Sequence, residues 1–210
     1  LGGYDPYSSS KALTELLIAS YRNSWRQQWQ EDSEIVSFAD SNVSIASVRA
    51  GNVIGGGDFA PSRLLPDCMR ACIAGEALTL RNPASVRPWQ HVLEPLSGYL
   101  WLAANMLDNP EAYNEAWNFG PREIEAIQSE SLVSYALSQW GTHSDNYAVP
   151  EGQIAAHETK VLRVNWDKAR NILGWEPVYN WKQAVADTVR WWKAYDLSLI
   201  HISEPTRQIV

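Results

Sequence analysis

Tyr7 and Lys11 stand four residues apart in a run that reads as the opening turns of a helix, so both side chains project from one face. A lysine ammonium beside a phenol favours the phenolate by charge proximity. A phenolate can take the proton of a sugar hydroxyl, which is general-base chemistry. Chance supplies so short a spacing often, and the surrounding residues must decide. A second candidate is the run Arg49-Ala50-Gly51-Asn52-Val53-Ile54-Gly55-Gly56-Gly57-Asp58, which follows a β-branched segment. In an α/β sheet, ligands sit beyond the carboxyl ends of strands. Glycines there admit close backbone approach, and the Asn52 amide both donates and accepts. No Gly-Lys-Ser/Thr follows, so this is not a Walker loop. A plain flexible turn is the equal alternative. Arg63, Arg81 and Arg87 are candidates for a diphosphate, because guanidinium binds phosphate through two parallel hydrogen bonds. Each taken singly is more often a solvated surface group.

The remaining conspicuous residues read as packing. The chain has 11 Trp against 3 Phe. Trp166, Trp175, Trp181, Trp191 and Trp192 crowd the last third, where core packing is favoured over sugar stacking. Cys68 and Cys72 fall on one helix face and read as core. Two cysteines four apart make neither a zinc site nor a disulfide framework, and they fit a reducing compartment. Four scattered histidines add no metal-ligand spacing.

The elements that must position these groups follow from period and punctuation. Asp5-Pro6 and Ser8-Ser9-Ser10 signal the start of a helix that should run from about Ser8 into Gln27–Gln30, with Leu13, Leu16, Leu17, Tyr21 and Trp25 carrying its period. Val43–Val48 is a strand. Helices are predicted over Ser62–Ala74, stopped by Gly75, and over His91–Leu107, with Val92, Leu96, Leu100 and Ala103 at helical spacing. Ala77–Arg81 is a short strand, Asn82-Pro83 a turn, and Trp117–Pro121 a strand end and turn. Further helices cover Ser129–Trp140, Asn165–Leu173 (closed by Gly174) and Asn180–Tyr195. Strands separated by helices mean α/β architecture. The strands are too few for a complete doubly wound sheet, and no Gly-x-Gly-x-x-Gly occurs at a strand–helix junction. Half of such a sheet would leave an open edge and uncovered apolar surface.

Composition narrows the class. In 210 residues, 17 Lys+Arg against 24 Asp+Glu give a net charge of −7, a poor footprint for a phosphate-backbone binder. Hydrophobic residues at 45% and charged residues at 20% indicate a globular chain rather than a disordered one. The quietest stretch, Tyr99–Met106, is too short to span a membrane. The chain opens Leu1-Gly2-Gly3 without Met or a signal-peptide pattern, which suggests a fragment. Leu197–Val210 resembles a translated adapter read-through and is expected to be a non-native tail.

Taken in order, three runs carry a family resemblance: Asp5-Pro6-Tyr7-Ser8-Ser9-Ser10-Lys11, Arg49 through Asp58, and Arg81-Asn82-Pro83 through Arg87-Pro88-Trp89-Gln90-His91-Val92. The chain resembles the extended short-chain dehydrogenases/reductases that act on nucleotide sugars, the NAD-dependent epimerase/dehydratase family. Within it, the last two runs resemble the 4,6-dehydratases of CDP-glucose. The likeness covers Tyr4 to Tyr195. Phe59 stands where that group usually has Trp, and Pro61-Ser62 precedes Arg63 without the usual acidic residue. The family's Gly-rich nucleotide loop and upstream acid/base run lie outside the chain.

The resemblance implies the C-terminal part of a Rossmann-type doubly wound sheet, from 1–55 and about 90–110. It also implies a smaller mixed α/β nucleotide-sugar domain, from about 56–89 and 111–196. By the same resemblance, Tyr7 removes the 4-hydroxyl proton while NAD accepts hydride from C4. Water then leaves across C5–C6, and hydride returns to C6, giving CDP-4-dehydro-6-deoxyglucose. Lys11 would bind the nicotinamide ribose and depress the Tyr7 pKa, and Ala50 and Gly51 would contact nicotinamide. Asn52, Arg63, Leu64 and Arg87 would line the nucleotide-diphosphate site, with Trp117–Phe119 packed close by. The resemblance further implies a cytoplasmic homo-oligomer, dimer or tetramer, with CDP-glucose as partner, no metal, and neither nucleic acid nor membrane. A related epimerase or decarboxylase sharing Tyr7 and Lys11 is the alternative, followed by a non-catalytic sugar-binding module. The isolated fragment is expected to be inactive.

Overall fold

A computed structural model gives the fold. It describes residues 5–26, 44–122, 126–150 and 160–197. The predicted opening residues Leu1–Tyr4, the helix end at Gln27–Gln30, the strand start at Val43 and the tail beyond Leu197 lie outside the described residues. Two compact units emerge. One comprises Leu1–Arg49, Ser97–Asn118 and Trp166–Trp175, the other Ala50–Leu96, Phe119–Asn165 and Glu176–Val210.

In the first unit, helix α1 spans Pro6–Arg26. Its start is built as the sequence dictates. The Ser8 amide and hydroxyl donate to the two Asp5 carboxylate oxygens at 2.9 and 2.6 Å, and Pro6, which has no N–H to lose, takes the first helical position. Strand β1, Ser47–Ala50, pairs with a strand at Ala116–Phe119. Trp117 is buried there, with Lys168 Nζ 4.3 Å from its ring centroid. A wide π-type turn at Ala169–Leu173 ends in left-handed Gly174, the predicted stop.

The second unit holds most of the core. Strand β2 is Asn52–Ile54, helix α2 Leu64–Ala74, strand β3 Leu78–Thr79 and strand β4 Val86–His91. Next come α3, Leu93–Asp108, which extends past Leu96 into the first unit's residues, and α4, Pro110–Tyr113; the Ala116–Phe119 strand is β5. Strand β6, Ala126–Gln128, helix α5, Ser129–Trp140, strand β7, Tyr147–Ala148, and helix α6, Trp181–Asp196, complete the chain. β4 lies between β2, parallel to it, and β6, antiparallel. β3 and β7 form a separate parallel pair. Helices α2, α5 and α6 pack together with this sheet. Leu65, Met69, Leu132, Val133, Leu137, Val185, Val189 and Trp192 are sealed in the common core. Trp181 and Trp191 pack against it, and Cys68 is buried within it, in line with the packing reading of both residue types.

Several boundaries differ from the sequence reading. Strand β4 is absent from that reading because Arg87-Pro88-Trp89-Gln90-His91 shows no apolar alternation and contains a proline, which argues against a central strand. Pro88 is accommodated because Gly51, between β1 and β2, abuts it: a Cβ at Gly51 would stand 2.7 Å from the Pro88 carbonyl oxygen. Helix α3 consequently starts two residues later than predicted, after His91. Its predicted apolar stripe is also not its buried one. Leu96 and Leu100 are exposed, the latter 74%, whereas Leu102 is buried. Leu13, Leu16, Leu17 and Tyr21 of α1 are likewise exposed.

Candidate active site

Asp5 caps α1, and the two turns that follow carry Tyr7 and Lys11. The Ser8 hydroxyl and amide hold the Asp5 carboxyl below its ordinary range, so the cap stays ionised across the neutral range. Lys11 Nζ lies 5.7 Å from the Tyr7 ring centroid. The phenol is 72% exposed, which leaves its oxygen open to a bound hydroxyl. The structure thus brings this predicted pair together on one accessible face.

The diphosphate candidates separate by burial. Asn52 pairs with Trp89 across the β2–β4 ladder, and partners in a parallel register project to the same side. Arg87 lies two residues before Trp89 and shares that side. Ile54 and Trp89 carry the same face into the core. Arg87 is buried, 7% exposed, and its Nη1 donates to the Val86 carbonyl at 2.9 Å. A buried guanidinium on a sheet face beside an amide is a stronger anion candidate than a solvated one. Arg63 is exposed at the head of α2, with Leu64 the first residue of that helix. Arg81 is exposed beyond β3, outside the three-stranded sheet. The structure therefore puts Asn52 and Arg87 on one sheet face, whereas Arg63 and Arg81 lie outside the three-stranded sheet. Ala50 ends β1, and Gly51 follows it.

The glycine run makes room for other parts of the chain. A Cβ on Gly51 would strike Pro88, one on Gly55 would reach Val92 Cγ1 at 2.8 Å, and one on Gly56 would overlap the Trp191 indole. These close approaches are to the chain itself. Phe59 sets its ring 5.0 Å from Trp192 and 5.2 Å from Tyr195. Arg70 reaches back from α2 to the carbonyls of Phe59 and Ala60 at 3.2 and 3.3 Å and pairs with Asp67.

Three positioning groups went unremarked in the sequence. Glu94, buried, accepts the Val178 and Tyr179 amides at 2.8 and 2.9 Å. His91 Nδ1 accepts the Leu93 amide at 3.3 Å, and burial pushes the His91 pKa down against the opposing pull of Asp187 and Glu94. Glu15 carries a visible signal, since it continues the four-residue spacing of Tyr7 and Lys11. Among the described residues no group of three or more His, Cys, Asp and Glu could hold a metal ion, and no helix is long and apolar enough to cross a membrane.

Comparison with known proteins adds the family context. A profile described as the NAD dependent epimerase/dehydratase family matches residues 4–116. The chain is 40% identical over 195 residues to a CDP-glucose 4,6-dehydratase of Salmonella typhimurium, covering 93% of this chain and 52% of that protein. Its fold matches a dTDP-glucose 4,6-dehydratase of Bacillus anthracis in complex with NAD, with a TM-score of 0.70 at 21% identity, covering 92% of this chain and 53% of the other. It also matches a UDP-glucose-4-epimerase of Stenotrophomonas maltophila with bound NAD, with a TM-score of 0.70 at 19% identity, covering 92% and 56%. The chain spans about half the length of the curated relatives it matches.

Proposed function

The chain belongs to the NAD dependent epimerase/dehydratase family, and on that premise we propose that it forms part of a nucleotide-sugar 4,6-dehydratase acting on CDP-glucose. The fold, α/β with parallel strand pairs, is the Rossmann-type architecture of that family. The observation that carries the reading is the pairing of two sites in one chain 40% identical to a CDP-glucose 4,6-dehydratase: Tyr7 and Lys11 on an open helix face, and Asn52 with buried Arg87 on a sheet face.

The exposed phenol with a cation beside it fits a ribose and a substrate hydroxyl together, so Tyr7 and Lys11 suit the nicotinamide end of NAD. When bound, that cofactor supplies a reversible hydride acceptor. Tyr7 takes the 4-hydroxyl proton of the glucosyl unit at its phenolic oxygen. Lys11 favours the phenolate that accepts this proton and donates to ribose hydroxyls. Ala50 and Gly51 would lie against the nicotinamide, with Pro88 also close to Gly51. Asn52, Arg63, Leu64 and Arg87 hold the nucleotide diphosphate, with Arg87 as its buried cation. The acid/base for loss of water across C5–C6 is assigned to residues outside this chain. In this reading 1–55 and about 90–110 belong to the NAD-binding domain, and about 56–89 and 111–196 to the nucleotide-sugar domain.

Calorimetric titration tests this on the chain as it stands. Asn52, Arg63, Leu64 and Arg87 all lie in the second unit, so CDP binds, whereas NAD, lacking a Gly-rich loop, binds more weakly than micromolar. Absence of CDP binding overturns the assignment. With the whole enzyme, CDP-glucose yields a 4-keto-6-deoxy product; a C4-epimerised sugar nucleotide would assign the chain to the epimerases instead.

A further inference from the structure

Tyr7, Lys11 and Glu15 recur at four-residue intervals along α1, so all three share one stripe. The third member of that stripe is tied down. Glu15 Oε1 accepts from Arg49 Nε at 2.6 Å, and its Oε2 accepts from Arg49 Nη2 at 2.5 Å and from the buried Ser47 hydroxyl at 3.0 Å. Arg49 Nη1 goes on to donate to Asn118 Oδ1 at 3.2 Å. One carboxylate on α1 is therefore clamped to β1, through Ser47 and Arg49, and through Arg49 to the paired strand β5.

We propose that the Glu15–Arg49 clamp is the positioning device for the Tyr7–Lys11 pair, fixing the rotation and tilt of α1 on the β1–β5 strands. The inference rests on the reading of Tyr7 and Lys11 as the reacting pair. A carboxylate held by two nitrogens along one edge of a guanidinium has a defined plane and direction, which a single point contact lacks. The clamp is also where apolar packing is thin: Leu13, Leu16 and Leu17, which flank it on the helix, are all exposed. A second tie, from Arg22 Nε to the Ile45 carbonyl at 2.9 Å, holds the helix farther along. Glu15 lies eight residues from Tyr7, about 12 Å along the axis at 1.5 Å per residue. A tilt of roughly 5° about the clamp would move the phenol by about 1 Å, a misplacement that can cost about 10²-fold in rate.

The test uses Glu15→Gln, Arg49→Lys and the double variant in the whole enzyme, with Tyr7→Phe alongside and Leu102→Ala, a buried position in the same unit, as a control for lost stability. We expect each single variant to lower kcat by about ten- to a hundredfold with KM for CDP-glucose nearly unchanged, and the double to be no worse than the worse single. In the chain itself, amide exchange across residues 6–22 should quicken in the clamp variants. If Tyr7→Phe abolishes turnover while both clamp variants leave kcat within twofold, the positioning role is wrong and the site reading stands. If Tyr7→Phe leaves turnover intact, the site reading itself fails. Equal loss of kcat in Leu102→Ala at a matched fall in Tm would reduce the effect to general destabilisation and overturn the proposal.

Discussion

The two compact units hold their candidate residues by different means. Around Asn52 and Arg87, three helices close on a sheet and seal Leu65, Leu132, Val185 and Trp192. In the unit that holds Tyr7 and Lys11, few of the described residues are buried, Leu102, Trp117 and Leu173 among them, while Leu13, Leu17, Leu100 and Leu107 are exposed. Polar ties are prominent there instead. Glu15 joins Arg49, the Ile45 amide donates to Asn114 Oδ1 at 3.1 Å, and Lys168 pairs with Glu115. Non-directional burial suits a region that grips a ligand, since it fixes a shape against many small displacements. Directional hydrogen bonds suit a helix whose angle matters, since they specify orientation. The two groups of candidate residues thus rest on interactions with different sensitivities.

The largest expected effect is chemical and confined to the first unit. Tyr7→Phe in the whole enzyme removes the phenolic oxygen and should lower turnover by about 10²–10⁴-fold, with CDP affinity unchanged. Turnover within tenfold of the parent would remove Tyr7 as base. The second unit should answer most strongly in stability. Leu132→Ala should cost about 2–5 kcal/mol by denaturant unfolding, because Leu132 is wholly buried; a cost under 1 kcal/mol would show that this core is loose.

Arg87→Ala comes next. A hydrogen bond to a charged group contributes about 1.5–3 kcal/mol, so affinity for CDP and for CDP-glucose should both fall by roughly ten- to a few hundredfold. A loss restricted to CDP-glucose would move Arg87 to the sugar subsite.

Acid should separate the units. Burial lowers the His91 pKa from its ordinary 6.5, so the folded second unit resists protonation that the unfolded chain accepts. Its contribution is intact above 6.5 and is lost as pH falls below that value through the folded pKa. Glu15, lowered from 4.5 chiefly by the hydrogen bond from Arg49, keeps its contribution until pH drops below 4.5 and loses it through its own folded pKa. With both side chains about a third or more exposed, that pair contributes only about 0.2–1 kcal/mol. Exchange protection followed against pH should therefore weaken in the second unit first, and His91→Gln should erase that early phase. The smallest effect closes the series: Leu100→Gln, on an exposed position, should change stability by no more than about 0.5 kcal/mol. A larger cost would show that the α3 face is covered in solution.

Much of this was legible where local chemistry acts alone. The Asp5-Pro6 start, the Gly75 and Gly174 stops and the Asn180 start of α6 follow from capping preferences, and Asn180 indeed forms a reciprocal cap with Gln183. The Tyr7–Lys11 juxtaposition follows from helical spacing. Strand β4 was hidden because its tolerance of Pro88 depends on Gly51, more than thirty residues away. β6 and β7 are too short to carry a period. The difference between Arg87 and Arg63 was equally invisible, since burial of a guanidinium is decided by the sheet face it falls on. The glycine run signalled close approach, and at Gly51, Gly55 and Gly56 side chains of the chain itself make such an approach.

That last feature gives the molecule an optical handle. Trp191 lies against the bare face of Gly56 and stacks on Tyr195 with ring planes 7° apart. Its indole is therefore in register with the loop that links β2 to the head of α2. Any shift of that loop changes the polarity and the quenching around the ring, whatever causes it. The emission that Trp191→Phe subtracts from the total is a built-in gauge of loop position. It can be read during a CDP titration with no label added.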